Sequence, residues 1–161
     1  MHRLVICIAV VLCSYLGTVC SPVMAAEVTR PQYVESTEPI CKANTIQNQD
    51  ILSGVRNQFR DGKLKVVGGK FKRAAKALDQ TIKRLEQLPR PPADEGLLAR
   101  WFTHLSGETR LLEKVARRLL AGSNVDLGSY VLELRHNANK TNNIVLTFGF
   151  EYCLIQTARY I

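Results

Sequence analysis

Residues 71–85 read Phe71-Lys72-Arg73-Ala74-Ala75-Lys76-Ala77-Leu78-Asp79-Gln80-Thr81-Ile82-Lys83-Arg84-Leu85. Phe71, Ala75, Leu78, Ile82 and Leu85 step by four, three, four and three residues, which lines them up along one side of an α-helix and predicts a seam packed lengthwise against other helices. At about 100° per residue the Lys and Arg residues of the same stretch fall opposite that seam. A segment with one face for a core and one for solvent sets the expectation of an all-α fold.

Working outward, Gly68-Gly69 is a weak point just before the seam, so residues 63–69 read as a loop, a frayed turn or a continuing helix. Leu88-Pro89-Arg90-Pro91-Pro92 stops the helix, because proline removes a donor and blocks helical geometry in the residue before it. Ala93-Asp94-Glu95 opens the next helix with acidic residues where the helix dipole favours them, and Leu98, Trp101, Leu105, Leu112, Val115 and Leu119 line one side of it. Ala121-Gly122 closes it. A further helix starts near Asp126 or Ser129 and carries Leu134, Ala138, Thr141, Val145 and Phe148 before Gly149 breaks it.

Upstream, Ile40, Ala43, Ile46, Ile51, Val55 and Phe59 predict a helix from Pro39 or Ile40 to Arg60, ended by Asp61-Gly62. Residues 26–38 contain Pro31 and Ser36 without an apolar period and read as an extended leader. No stretch alternates with period two for long enough to argue a sheet. The expected architecture is therefore an antiparallel up-down four-helix bundle over residues 39–153, followed by a tail at 154–161.

Met1-His2-Arg3, the apolar run from Leu4 to Cys20, and Val23-Met24-Ala25-Ala26 have the three parts of a secretory signal, with cleavage expected after Ala25 or Ala26. An uncleaved anchor is the competing reading, and lipidation at Cys20 a third; Gly17-Thr18-Val19 lacks the Leu expected for it. Loss of residues 1–25 discards Cys7, Cys13 and Cys20 and leaves Cys41 and Cys153 in an exported chain. A bridge between them would stabilise the fold by about 4.7 kcal/mol in the chain-entropy model for a loop of about 100 residues. Two buried free thiols, or a catalytic Cys with His104 or His136 as base, are the other readings. A bundle with an even number of helices puts the start of the first and the end of the last at one end, where sulfur could reach sulfur.

The chain of 161 residues carries 22 Lys and Arg against 14 Asp and Glu, a formal net charge of +8, and much of the surplus is local. Lys63, Lys65, Lys70, Lys72, Arg73, Lys76, Lys83 and Arg84 face Asp79 alone within 22 residues. Arg110, Lys114, Arg117 and Arg118 make a second cluster. Such a stripe fits an anionic surface or simple solubility. Few aromatic residues accompany it, which disfavours stacked single-stranded nucleic acid, and no motif for sequence-specific nucleic-acid binding occurs.

Catalytic parts are sparse. Glu133-Leu134-Arg135-His136 is one ExxH pair where di-iron bundles use two. His104 and Glu108 stand four apart, as surface pairs often do. There is no Gly-x-Ser-x-Gly elbow, and Gly68-Gly69-Lys70 lacks the remaining parts of a phosphate loop. No metal, cofactor or enzymatic activity is expected.

Three motifs, in order, resemble a family of small exported or lipid-anchored helical proteins of actinobacteria: Tyr33 followed by Ile40-Cys41-Lys42-Ala43-Asn44; Leu88-Pro89-Arg90-Pro91-Pro92-Ala93 with Trp101; and Ala138-Asn139 with Gly149-Phe150-Glu151-Tyr152-Cys153. The resemblance implies a disulfide-tied helical fold and an envelope location, and it assigns no activity. The expectation for function is a non-enzymatic, secreted or envelope-located module whose basic face meets an anionic envelope polymer, an acidic membrane surface or a protein partner. The alternative is a carrier of an apolar small molecule or haem in a cavity between helices.

Overall fold

The computed structural model describes residues 27–124 and 127–156. The expected signal segment and its cleavage site lie outside the described residues, as do residues 157–161 of the expected tail. The chain forms α1 (Arg30–Leu52), α2 (Val55–Arg60), α3 (Leu64–Glu86), α4 (Glu95–Leu120) and α5 (Leu127–Ile144), with 3-10 turns at Pro92–Asp94 and Leu146–Phe148. The described residues contain no strand, and no helix among them is long and apolar enough to cross a membrane. The fold is all-α, and Cys41 and Cys153 are joined as a disulfide that ties its two ends.

The helices pack in sequence, α1 on α3, α3 on α4 and α4 on α5. Tyr33 and Cys41 from the first part of α1 cluster with Ile82 and Leu85 from the end of α3, whereas Leu52 from the end of α1 clusters with Val67 and Phe71. The first of these clusters also takes in Leu98 and Trp101 of α4, and the second Val115, Leu119 and Leu134. Gly68 lets α3 and α4 approach closely: a Cβ there would sit 2.8 Å from Leu120 N and 3.0 Å from Ala116 O.

The leader expectation is corrected. α1 begins at Arg30, because Thr29 and Gln32 form a reciprocal capping box and Pro31 falls in the first turn, where its missing N–H costs nothing. Pro39, expected as a boundary, lies inside α1, which runs through it with Thr37 and Cys41 buried on either side. The expected first helix to Arg60 is broken at Ser53-Gly54, where Gly54 takes φ +73° and redirects the chain into α2. As a consequence Phe59, expected in the core, is 38% exposed; Ile46, within α1, faces away from the buried line of that helix and is 51% exposed. Gly68-Gly69 lies within α3.

After α5 the chain folds back as a strap over residues 149–156. Gly149, at φ +70°, turns the chain so that Phe148 and Phe150 stack with centroids 5.3 Å apart, and Phe150 stacks on Trp101 at 5.6 Å. The Glu38 carboxylate accepts from Glu151 N at 2.6 Å and Tyr152 N at 3.0 Å. Asn142 and Ile155 exchange two hydrogen bonds of 2.8 and 3.0 Å. Leu154 and Ile155, at the start of the expected tail, pack on the core.

Candidate functional site

The basic residues singled out in the sequence lie along α3 and its entry. Lys63, Lys65, Lys72, Arg73, Lys76, Lys83 and Arg84 are exposed and Lys70 is half-buried. Three of them have local partners: Lys63 pairs with Asp61 at 3.1 Å, Lys83 with Asp79 at 2.8 Å, and Lys70 Nζ donates to the Ser53 carbonyl. Lys65, Lys72, Arg73, Lys76 and Arg84 take part in no ion pair among the described residues. At about 100° per residue, Lys65, Lys72, Lys76 and Lys83 fall within a narrow line, with Arg73 and Arg84 beside it. All lie opposite the buried Phe71, Leu78 and Leu85.

The contact of Gly68 with Ala116, Leu119 and Leu120 sets the start of α3 beside the end of α4. Arg110, Lys114, Arg117 and Arg118 are exposed on α4, so the second cluster lies beside the first half of α3, with Lys65, Lys72 and Arg73, whereas Lys83 and Arg84 sit at the far end of α3, where Leu85 packs with Trp101. An apolar cleft of about 830 Å³ opens beside the first half of α3, lined by Val55, Val67, Phe71, Leu119 and Val131, with Arg56 and Arg60 of α2 among its other residues. Among the described residues its lining has no His, Cys, Met or Tyr, the side chains that ligate haem iron.

The other notable site is internal. Glu108 is 1% exposed in the middle of α4. Its Oε2 accepts from Asn137 Nδ2 of α5 at 2.7 Å, and the same Nδ2 donates to His104 O at 3.0 Å. Gly107 makes this approach possible, because a Cβ there would meet Asn137 Oδ1 at 3.1 Å. Burial pushes the Glu108 carboxyl up to about 7, against the Asn137 hydrogen bond, which favours the charged form. Its Oε1 has no hydrogen-bond partner. Glu108 borders a cavity of about 110 Å³ between α1, α3, α4 and the strap, and so do Asn48 and Trp101, whose Oδ1 and Nε1 are also buried without a partner. An unpaired buried polar atom costs about 1–3 kcal/mol.

The i,i+4 spacing of His104 and Glu108 predicts a surface pair. The structure connects the two through Asn137, with His104 Nδ1 3.3 Å from Asn137 Oδ1. The available signal was spacing: Trp101, Leu105, Leu112, Val115 and Leu119 leave a gap in a four-three seam, and position 108 fills it. Glu133 and His136 are both exposed on α5. No group of three or more His, Cys, Asp or Glu able to hold a metal occurs among the described residues. Cys41 and Cys153 are consumed in the bridge and offer no thiol for catalysis.

Comparison of the chain with protein families, with curated proteins and with solved structures finds no match.

Proposed function

We propose that the protein is a non-enzymatic module of the cell envelope that holds an anionic surface against the basic end of its bundle. The observation that carries this reading is the set of α3 cations without ion pairs, Lys65, Lys72, Arg73 and Lys76, opposite the core in the half of α3 that packs beside the end of α4. A purely solubilising surface would intersperse both signs, because mixed charge gives solubility without a strong local field. The apolar segment at residues 4–20, the disulfide and the resemblance to exported helical proteins support the envelope location.

The test is retention on phosphatidylcholine vesicles with and without phosphatidylglycerol, and on a polyanion column, as salt is raised. Binding should require the anionic component and weaken steeply through the salt range where the Debye length falls to about 8 Å. Replacing Lys65, Lys72, Arg73 and Lys76 by Gln spares Lys70, which serves the Ser53 carbonyl, and should lower the salt needed for release. Equal elution of wild type and variant would remove the basic end from the function.

The 830 Å³ cleft favours a second reading, a carrier of an apolar or anionic amphiphilic molecule. Without a ligand for iron on its lining, the haem version loses its support. Val131, half-buried on the cleft lining, is the position to enlarge, and Val131→Trp should narrow the space. Loss of fatty-acid binding in that variant, with vesicle binding intact, would separate carrier from surface binder.

A further inference from the structure

The internal cavity is a better-defined place for a ligand than the cleft. Its lining runs from Asn44 and Gln156, which solvent reaches, to Trp101 and Glu108, which it does not, so the space leads inward beneath the strap. Leu78, Leu85, Leu105 and Leu112 supply apolar wall. Asn48 Oδ1, Trp101 Nε1 and Glu108 Oε1 stand on the same lining, each buried and unpartnered. Native structures contain few such atoms, and the two acceptors among them, Asn48 Oδ1 and Glu108 Oε1, share one explanation in a guest that donates to both, whereas Trp101 Nε1, a donor, is not served by it.

The lining also selects the guest. Two of the three unpaired atoms are acceptors, one of them on a carboxyl, so the guest must donate. Among the described residues no Lys, Arg or His lines the cavity, and those residues offer a buried anion no counter-charge there. The volume of about 110 Å³ is below the roughly 150 Å³ of the engineered cavity that admits benzene, which limits the guest to a few heavy atoms. We propose that this cavity binds a small primary ammonium with a short alkyl body, its N–H groups donating to Glu108 Oε1 and Asn48 Oδ1 and its carbons packing on the leucines. The site is separate from the basic end, and neither reading depends on the other.

Burial raises the Glu108 carboxyl to about 7, so below that pH it must lose its proton to pair with the ammonium. Tyr152 is the other titratable group on the lining, and His104 reaches Glu108 only through Asn137. Below pH 7 binding should therefore release a proton, and affinity should tighten about tenfold per pH unit until it levels above 7.

Isothermal titration of the oxidised protein with n-butylammonium, n-butanol and butyrate at pH 6 and pH 8 is the test. Saturable binding of butylammonium is expected, at least about tenfold tighter than butanol at pH 8 and weaker at pH 6, with no binding of butyrate. Glu108→Gln should erase the preference for the ammonium. Should that variant fail to fold, Asn48→Leu, at a half-buried position, removes the second acceptor and should weaken butylammonium binding alone. Three results would each overturn the proposal: butanol binding as tightly as butylammonium, an affinity that does not change with pH, or no heat from any of the three.

Discussion

Asn137 Nδ2 lies 2.7 Å from Glu108 Oε2 and 3.0 Å from His104 O, so one side-chain amide of α5 links the buried carboxyl of α4 to a backbone carbonyl one turn earlier. This fixes one oxygen of Glu108 and leaves the other unpaired, and burial outweighs the single hydrogen bond. With a folded-state value of about 7 against an ordinary 4.5, the folded protein keeps a proton that the unfolded chain releases. The stability tied to that proton is complete below about pH 4.5, falls as pH rises toward 7 and is flat above it; the whole change is about 3 kcal/mol. Glu108→Gln should remove this slope and be the more stable form at pH 8. Urea unfolding of both forms at pH 5 and pH 8 checks it, and equal slopes would mean that Glu108 titrates normally.

Gly68 and Gly69 are neighbours in α3 with opposite expectations. At Gly68 an added Cβ meets Leu120 N at 2.8 Å and Leu119 Cβ at 2.9 Å, atoms that cannot yield without moving α4. Gly68→Ala should cost about 1–3 kcal/mol despite its better helix propensity. At Gly69 the nearest atom is the end of the Arg73 side chain at 3.9 Å, and Gly69→Ala should add about 0.5–1 kcal/mol. Paired thermal melts decide it; a stabilised Gly68→Ala would contradict the close α3–α4 contact.

The pair also marks what the sequence makes readable. α3 and α4 follow from their seams, because the inward positions are apolar at nearly every turn. α1 does not, because its inward line of Tyr33, Thr37, Cys41, Thr45, Asn48 and Leu52 is half polar, while Ile46 faces solvent. An apolar count therefore selects the wrong stripe and starts the helix at Pro39 or Ile40, well past its true start at Arg30. Thr37 is tolerated at 0% exposure because its hydroxyl donates to Tyr33 O at 2.9 Å, a local bond that composition does not reveal. Glu108 reads as a surface residue, and Asn48 carries no signal, for the same reason: a polar residue on a helix is read as surface, and only the spacing of its neighbours says otherwise. The strap is not legible either, since its hydrogen bonds to Glu38 and its exchange with Asn142 join positions far apart in sequence or outside any helix.

The disulfide supplies a third expectation. It closes a loop spanning 112 positions, and Cys41→Ala with Cys153→Ala should cost about 2–5 kcal/mol by releasing that constraint from the unfolded chain. The helices should persist at ambient temperature, since α3 and α4 pack without help from the strap. Non-reducing mass spectrometry should find no free thiol at Cys41 or Cys153, and denaturation with and without reductant measures the loss. Free thiols in the native protein would refute the bridge.

The last expectation concerns Tyr33, fully buried with its hydroxyl unpartnered and its titration pushed up to about 12 by burial. Its ring meets Phe148 edge-on at 6.3 Å, a contact that Phe keeps. Tyr33→Phe removes only the hydroxyl, whose desolvation nothing offsets, so the variant should be as stable as wild type or more so, by up to about 1–3 kcal/mol. The nearby Arg30–Asp94 pair offers the contrast. Asp94 is buried and accepts Arg30 Nε at 2.9 Å, which holds its carboxyl below the usual range. Its contribution is present above the ordinary value of 3.8 and is lost as pH falls through the lowered one. Asp94→Asn should therefore destabilise at pH 7 and converge on wild type in strong acid, whereas Tyr33→Phe should keep a constant offset across that range. Melts of the two variants from pH 2 to pH 7 separate a satisfied buried group from an unsatisfied one. A loss of about 1 kcal/mol or more in Tyr33→Phe would mean that its hydroxyl has a partner in solution.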